Sequence, residues 1–179
     1  PGVVSPIRVV PDSIEVPEYV GRKSPAPYNG PEVKDADTIE RMRIAGSIAA
    51  RALNEVAAHI EPGVTTDELD RIGHEFLCDH NAYPSTLGYR GFPKSLCTSI
   101  NEVICHGIPD STRLVEGDII NIDITVIKDG FHGDTSRMFL VGESSIAAKR
   151  LCKLTYEAMW HGIVKVKPGA RLGDIGFAI

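Results

Sequence analysis

The sequence contains no apolar run of the roughly 20 residues that a membrane-spanning helix requires, and it does not open with a secretory signal peptide. Its four cysteines form no Cys-x-x-Cys pair, and a chain of 179 residues needs no disulfides to stabilise its core, so free thiols in a reducing compartment are expected. A net charge of -5 provides no general electrostatic reason to bind nucleic acid. These absences predict a cytoplasmic protein with no membrane segment and no specific nucleic-acid site.

Proline is scarce except near the start of the sequence, where seven of the 12 prolines lie within residues 1–31. No helical spacing of apolar residues accompanies them. The composition predicts a proline-rich extension over residues 1–36 that either lies on the surface or stays mobile. A docking segment for a partner is the functional alternative to a plain surface segment.

Two capping patterns predict the starts of two helices. Asp37 followed by Glu40 predicts a helix whose apolar residues recur with helical spacing until the Pro-Gly pair at 62–63. Thr65 followed by Glu68 predicts a second, shorter helix. The apolar face expected for this second helix carries Leu69, Ile72 and Phe76.

Strand-like segments occupy the middle of the chain, after a turn-rich stretch, and a long helix follows them. The predicted strands are Leu96–Ile100, Val103–Ile104, Ile119–Ile127 and Phe131–Val141, and the helix runs from about Ser145 to Val166. This mixture predicts an α+β protein.

A short internal repeat indicates duplication. "EPGVTTDELDRIG" at 61–73 and "KPGARLGDIGFAI" at 167–179 each follow a predicted helix of similar length. If the repeat is real, a first unit spans about residues 38–141 and a second begins near residue 145. Only about 35 residues of the second unit are then present, so we expect the sequence to be part of a longer, duplicated protein.

The Asp129-Gly130 pair predicts the tip of a hairpin between the last two strands. A two-residue loop pairs Thr125 with Asp134 and Asp123 with Ser136, which places both aspartates on one sheet face as diagonal neighbours. The opposite face is expected to face the core. That face carries Ile120, Ile122, Ile124 and Val126.

Asp123 and Asp134 are candidate metal ligands. Diagonal positions lie roughly 7 to 8 Å apart, which we take to be too far for the carboxylates to share a proton but suitable for gripping a divalent cation, or a pair of cations, between them. His132 lies on the same face. The alternative is that both aspartates are solvated residues near a hairpin end, or that Asp134 caps a turn after Gly133.

Two other patterns suggest chemistry that we do not expect. "HEFLC" at 74–78 begins like a zinc-protease helix, but Cys78 replaces the second histidine, so we expect His74 to be a partly exposed helix residue. Cys105 and His106 are adjacent. Neighbouring residues on a strand point to opposite faces, so a Cys-His dyad is not expected there and His106 is free for another role.

Longer blocks carry a resemblance to a known family. "YPSTLGYRGFPKSLCTSINEVICHGIPD", "GDIINIDITVIKDGFHGDTSRMF" and "EPGVTTDELD" resemble signature blocks of type I methionine aminopeptidases, in order along residues 37–179. The proline-rich segment resembles an extension found in a bacterial subgroup of that family. The resemblance implies the α+β pita-bread (creatinase/aminopeptidase) fold. Residues 37–179 would be an incomplete catalytic domain: the first half and the start of the second, pseudo-symmetric half.

The resemblance also implies a dinuclear metal centre that binds two divalent ions, of cobalt, manganese, iron, nickel or zinc. Asp123 would hold one ion and Asp134 would bridge both. The family's other ligands, one histidine and two glutamates, have no counterpart within the 179 residues. We therefore expect this chain by itself to bind metal weakly and to be inactive.

The remaining site residues follow from the same resemblance. His106 would be catalytic and would contact the substrate peptide near the scissile bond. The pocket for the methionine side chain would be lined by Thr86, Tyr89, Phe92 and Cys97, a set whose aromatic and soft, small side chains suit a thioether. Ordinary core packing is the alternative for each of these four residues.

The implied function is removal of N-terminal methionine from nascent proteins whose second residue is small. The implied partners are the N-termini of nascent polypeptides and, through the proline-rich extension, the ribosome, with the protein acting as a monomer. One alternative is another pita-bread peptidase, such as one that cleaves Xaa-Pro bonds. The other is a non-enzymatic pita-bread relative that acts as a binding module.

Overall fold

A computed structural model describes residues 2–179 and divides the chain into two compact units, residues 2–142 and 143–179. The first unit contains helices α1 (Ala36–Ala57) and α2 (Thr66–Asp79) and strands β1 (Tyr83–Pro84), β2 (Cys97–Ile100), β3 (Ile119–Lys128) and β4 (Phe131–Leu140). The second unit contains helices α3 (Ile146–Ile163) and α4 (Leu172–Ala178). The α+β composition is therefore confirmed.

Helix α1 begins earlier than the sequence pattern predicted. Its N-cap is Asp35, whose carboxylate accepts a hydrogen bond from the backbone N–H of Thr38 at 2.8 Å. The predicted cap, Asp37, lies in the first turn and pairs with Arg41 on the exposed surface. The prediction was wrong because either aspartate could cap the same helix, and the first of them in the chain does so.

Helix α2 begins as predicted. The Thr65 hydroxyl accepts a hydrogen bond from the backbone N–H of Glu68 at 3.1 Å. Leu69 is buried, and Ile72 and Phe76 are partly buried against the same core. The helix therefore presents the expected face to the core.

The sheet is antiparallel throughout and is organised around β3. Strand β4 pairs with one edge of β3 along its full length, and the other edge pairs with β2 and then β1. The pairing of Thr125 with Asp134 and of Asp123 with Ser136 confirms the predicted hairpin register. The predicted core face is also confirmed, because Ile120, Ile122, Ile124 and Val126 are all fully buried beneath α1 and α2.

The segment predicted as a strand at Val103–Ile104 is a loop. Residues 101–106 are exposed and form turns rather than ladder hydrogen bonds. Asn101 and His106 both have φ near +50°, in the left-handed region that interrupts a strand. Two β-branched residues were insufficient to specify a strand there, because no strand within residues 2–179 pairs with them.

The second unit repeats the helix, Pro-Gly turn and helix order of α1 and α2. Ser145 caps α3 through a hydrogen bond from the backbone N–H of Ala148 at 3.1 Å. Helix α3 ends at Ile163, three residues before the predicted end. The turn at Pro168-Gly169 then leads into α4.

The proline-rich segment is held against the first unit. Residues 2–34 contain no helix or strand, but Ile14 and Tyr19 are buried. The guanidinium of Arg8 pairs with Asp67 at 2.9 Å and with Asp70 at 3.0 Å. Of the two predicted alternatives, a surface segment and a mobile one, the structure shows the first.

No helix within residues 2–179 is both long and apolar enough to cross a membrane. All four cysteines are free, as predicted.

Candidate functional site

One open cavity in the first unit brings together all the candidate residues. Its volume is about 1600 Å³, and the open side of the sheet forms its floor. The lining includes Thr86, Tyr89, Phe92, Cys97, His106, Asp123 and Asp134. Residues separated by up to 48 positions in the sequence therefore converge on one site.

The sheet register explains how three of these side chains become neighbours. Cys97 on β2 is directly opposite Asp123 on β3, and Asp134 on β4 is opposite Thr125. Opposed residues, and residues two apart on one strand, share a face of a sheet. Cys97, Asp123 and Asp134 therefore all lie on the face away from the isoleucine core.

The two carboxyl groups interact electrostatically. Asp123 and Asp134 occupy diagonal positions of the hairpin, and the negative charge of Asp134 acts on the Asp123 carboxyl group. That they lie too far apart to share a proton stays a prediction. Burial raises the pKa of Asp123 to about 6, and the negative charge of Asp134 raises it as well.

A divalent cation fits this pair of residues. Two neighbouring carboxylates repel each other, and a hard cation between them removes that repulsion. No group of three or more His, Cys, Asp or Glu side chains in residues 2–179 is arranged to hold a metal ion. Asp123 and Asp134 could therefore form only part of a ligand set within the described residues.

His106 reaches the cavity from the loop between β2 and β3. Its φ of +55° is unusual for a residue with a side chain, and such strained residues cluster at functional sites. The expectation that Cys105 and His106 lie on opposite faces of a strand was wrong in its premise, because this segment is a loop. Cys105 is exposed and lies outside the cavity lining, whereas His106 belongs to it.

Gly107 holds this loop close to β2. Its carbonyl oxygen accepts a hydrogen bond from the Thr98 N–H at 2.9 Å, and its own N–H donates to the Ser99 hydroxyl at 3.1 Å. A Cβ at this position would overlap the carbonyl oxygen of Thr98. The position of His106 thus depends on a close backbone approach that only glycine permits.

The four predicted pocket residues occupy a second part of the cavity wall. Thr86 donates a hydrogen bond to the carbonyl oxygen of Lys94 at 3.1 Å, which links the residues on either side of the turn that contains Tyr89 and Phe92. Tyr89 is part of a single 3-10 turn and is 39% exposed. Burial raises the pKa of the Cys97 thiol to about 12, so this side chain is a neutral, soft surface.

His132, Ser85 and Tyr19 also line the cavity. The hairpin register had placed His132 on this face, but nothing in the sequence pointed to Ser85 or Tyr19. The hydroxyl of Ser85 lies 3.3 Å from Nδ1 of His132. Burial lowers the pKa of His132, against the opposing effect of Asp134.

His74 is a structural residue, as the interrupted zinc-protease pattern had suggested, but it is buried rather than partly exposed. Its Nδ1 lies 2.7 Å from the Ser95 hydroxyl, and its Nε2 lies 3.0 Å from the carbonyl oxygen of Val9. Because a carbonyl only accepts, Nε2 carries the proton. The proline-rich segment covers this histidine, which the helical pattern alone could not reveal.

Comparisons with known proteins show which proteins this chain is similar to. Methionine aminopeptidase 2 of Mycobacterium tuberculosis is 55% identical over 179 residues, which are 100% of this chain and 63% of that protein. Methionine aminopeptidase of Rickettsia prowazekii is 56% identical over 139 residues, 78% of this chain and 54% of that protein. The chain thus spans a little over half the length of these curated relatives.

Solved structures show the same fold. The crystal structure of the Rickettsia prowazekii enzyme matches with a TM-score of 0.81 at 52% identity, over 82% of this chain and 59% of that chain. A prolidase from Pyrococcus furiosus matches with a TM-score of 0.70 at 19% identity, over 82% of this chain and 42% of that chain. The second match shows the fold alone, and together they confirm the expected pita-bread fold.

The model of metallopeptidase family M24 matches residues 40–179. This range covers α2, every strand and the whole cavity floor, and it omits only the proline-rich segment and the first turn of α1. The chain belongs to the metallopeptidase family M24.

Proposed function

We propose that the full-length protein is a methionine aminopeptidase that removes N-terminal methionine from polypeptides whose second residue is small. The observation that carries this proposal is the convergence of all seven candidate residues on one cavity. The names of relatives that are 52–56% identical support it. A binding module has no need for two neighbouring carboxylates on the floor of a cavity, so this pair favours an enzyme.

The residues of the chain have separate roles in this proposal. Asp123 and Asp134 hold the metal, and His106 donates a hydrogen bond to the oxygen that gains negative charge during peptide-bond cleavage. The methionine side chain lies against Thr86, Tyr89, Phe92 and Cys97. An unbranched thioether packs well against aromatic rings and a neutral thiol.

Two divalent ions are proposed for the full-length protein, and when bound they supply Lewis-acid activation of water and of the scissile carbonyl. Carboxylate oxygens accept manganese, iron, cobalt, nickel or zinc, and availability decides among them. The chain's own part is to keep both aspartates on one rigid hairpin. Ten consecutive residue pairs between β3 and β4 provide that rigidity.

Nascent polypeptides are the proposed substrates, with the protein acting as a monomer in the cytoplasm. The proline-rich segment is the proposed contact with the ribosome. Its valine and isoleucine side chains support a contact surface, since Val3, Ile7 and Val9 are 76%, 66% and 85% exposed although the segment itself is docked.

Side-by-side turnover of peptides beginning Met-Ala and Ala-Pro by the full-length protein tests the assignment. We expect cleavage of Met-Ala peptides alone, because the pocket beside the metal ligands is lined by side chains suited to a thioether. Faster cleavage of the Ala-Pro peptide would assign the protein to the prolidase-like activity instead. Cleavage of neither peptide after metal loading would contradict an aminopeptidase function.

Replacing Gly107 with alanine tests the role of the His106 loop. The new Cβ cannot fit against the Thr98 carbonyl oxygen, so His106 moves and kcat is expected to fall about 10- to 100-fold, in line with the cost of misplacing a catalytic group by 1 Å. Metal content should stay unchanged, because neither aspartate is on this loop. Gly46→Ala in α1 is the matched control, since its Cβ meets open space. Unchanged kcat in Gly107→Ala would show that His106 has no catalytic role.

A further inference from the structure

Tyr19 is a residue of the proline-rich segment that reaches the cavity wall. Its side chain is buried, and its hydroxyl donates a hydrogen bond to the carbonyl oxygen of Ser85 at 2.5 Å. Its ring meets the ring of Tyr89 edge to face, with centroids 5.4 Å apart and an angle of 80° between the planes. Tyr19 thus contacts two residues of the cavity lining at once.

The Tyr89 turn is closed by backbone hydrogen bonds, such as the one from the Gly88 N–H to the Phe92 carbonyl oxygen at 2.8 Å, but these bonds do not fix the side chain of Tyr89. Gly88 and Arg90 on either side of Tyr89 have φ of +81° and +50°, and the turn holds no fully buried residue. The proline-rich segment packs against this turn as well, because a Cβ on Gly88 would lie 3.1 Å from the side chain of Val20. The ring of Tyr89 contacts the ring of Tyr19 and the guanidinium of Arg90, and of these two only Tyr19 belongs to a different segment of the chain.

A second line of contacts leads from Tyr19 towards the metal ligands. The hydroxyl of Ser85 lies 3.2 Å from the Tyr19 hydroxyl and 3.3 Å from Nδ1 of His132. His132 is two residues before Asp134 on the same face of β4. Movement of Ser85 would therefore disturb both the pocket wall and the side chain beside the metal site.

We propose that Tyr19 is a positioning residue for the substrate pocket, holding Tyr89 against the methionine side chain and Ser85 against His132. This inference rests on the proposed aminopeptidase function. It makes the proline-rich segment a structural part of the pocket, so that substrate affinity depends on residues outside the part of the chain that matches the family model.

Two substitutions in the full-length, metal-loaded enzyme separate the hydrogen bond from the ring contact. Tyr19→Phe keeps the ring against Tyr89 but leaves the Ser85 carbonyl without its donor. We expect KM for a Met-Ala peptide to rise about three- to tenfold, the range for loss of one hydrogen bond, with kcat within about twofold. Tyr19→Ala removes the ring as well, and we expect a rise of more than about tenfold and a weaker preference for methionine over leucine.

A readout independent of catalysis comes from fluorotyrosine placed at position 89 alone. We expect its fluorine NMR resonance to shift in Tyr19→Ala, because the edge of the Tyr19 ring then no longer lies beside it. Tyr156→Phe is the control: it is the same change at a 59% exposed tyrosine of α3, and it should alter neither KM nor the resonance. If Tyr19→Ala does not fold, the KM of Tyr19→Phe alone tests the proposal.

The proposal is overturned if both Tyr19 variants keep KM and the methionine preference within about twofold of the parent, or if only their melting temperature falls. A parent enzyme that removes no methionine would instead refute the proposed function. The fluorine resonance would then still decide whether Tyr19 positions Tyr89.

Discussion

Asp134→Asn is expected to abolish metal loading and turnover together in the full-length protein. A neutral amide is a weaker ligand for a hard cation than a carboxylate, and Asp134 is the proposed bridge between the two ions. Metal ions contribute several kcal/mol of transition-state stabilisation, and each 1.36 kcal/mol is a factor of ten in rate. We therefore expect kcat to fall by on the order of 10³ or more, with metal content measured by mass spectrometry falling in parallel.

The same variant should not be destabilised when metal is absent. Asp134 raises the pKa of Asp123 through its negative charge, which means that the two carboxylates repel each other in the metal-free protein. An amide removes that repulsion, so the melting temperature of metal-free Asp134→Asn should equal or exceed that of the parent. Lost activity combined with a lower melting temperature would indicate misfolding and not the loss of a ligand.

Asp37→Asn is the matched control, because it makes the same change at an 81% exposed carboxylate on the surface of α1. It should leave metal content and turnover unchanged. Full activity and metal content in Asp134→Asn would refute the assignment of the metal site.

Local sequence patterns were sufficient to predict the hairpin that carries the two proposed metal ligands. The Asp129-Gly130 turn sets the register, and strict alternation of isoleucine with polar residues sets which face is buried. Every pair between β3 and β4 then follows from the turn. Asp123 and Asp134 could therefore be placed on one face before the structure was known.

The pocket wall could not be predicted in this way. Tyr89, Phe92 and Thr86 lie in turns with no periodic pattern, and their assignment depended on the family resemblance. Their position depends on contacts between distant parts of the chain, such as the ring contact between Tyr19 and Tyr89. Such contacts leave no signal in the neighbouring sequence.

The burial of polar residues beneath the proline-rich segment could not be predicted from the sequence either. His74 looked like a surface residue of α2 because helical spacing gives no information about a segment that lies 65 positions away. Lys94 is fully buried for the same reason: its ammonium donates hydrogen bonds to Ser5 and Asp67. In both cases residues 2–9 provide the cover.

Asp70 is the centre of this buried polar network. Its carboxylate accepts hydrogen bonds from the backbone N–H groups of Ser95 and Leu96, at 2.7 and 3.2 Å, and from Nε of Arg8 at 3.0 Å. The side chain has no exposed surface. Burial raises its pKa, while the hydrogen bonds from Arg8 and Ser95 oppose that rise. The carboxylate therefore joins α2, the segment before β2 and the proline-rich extension.

Asp70→Ala is expected to lower the free energy of unfolding by about 3 to 5 kcal/mol, measured by urea denaturation of the full-length protein. The substitution leaves two buried N–H groups without acceptors and removes one of the two carboxylates that pair with Arg8. Asp70→Asn should lower the free energy of unfolding by less. Its amide oxygen can still accept hydrogen bonds from the N–H groups of Ser95 and Leu96, and only the contact with Arg8 is lost, because an NH₂ group cannot accept a hydrogen bond from a guanidinium.

Asp37→Ala provides the reference for an exposed carboxylate and should lower the free energy of unfolding by less than about 1 kcal/mol. If Asp70→Ala were no more destabilising than Asp37→Ala, the network would not hold the proline-rich segment in place. A large loss of stability that is smaller in Asp70→Asn would instead show that the backbone hydrogen bonds of the segment leading to Cys97 depend on this carboxylate. The alignment of β2 with Asp123 would then depend on a residue of α2 that never reaches the cavity.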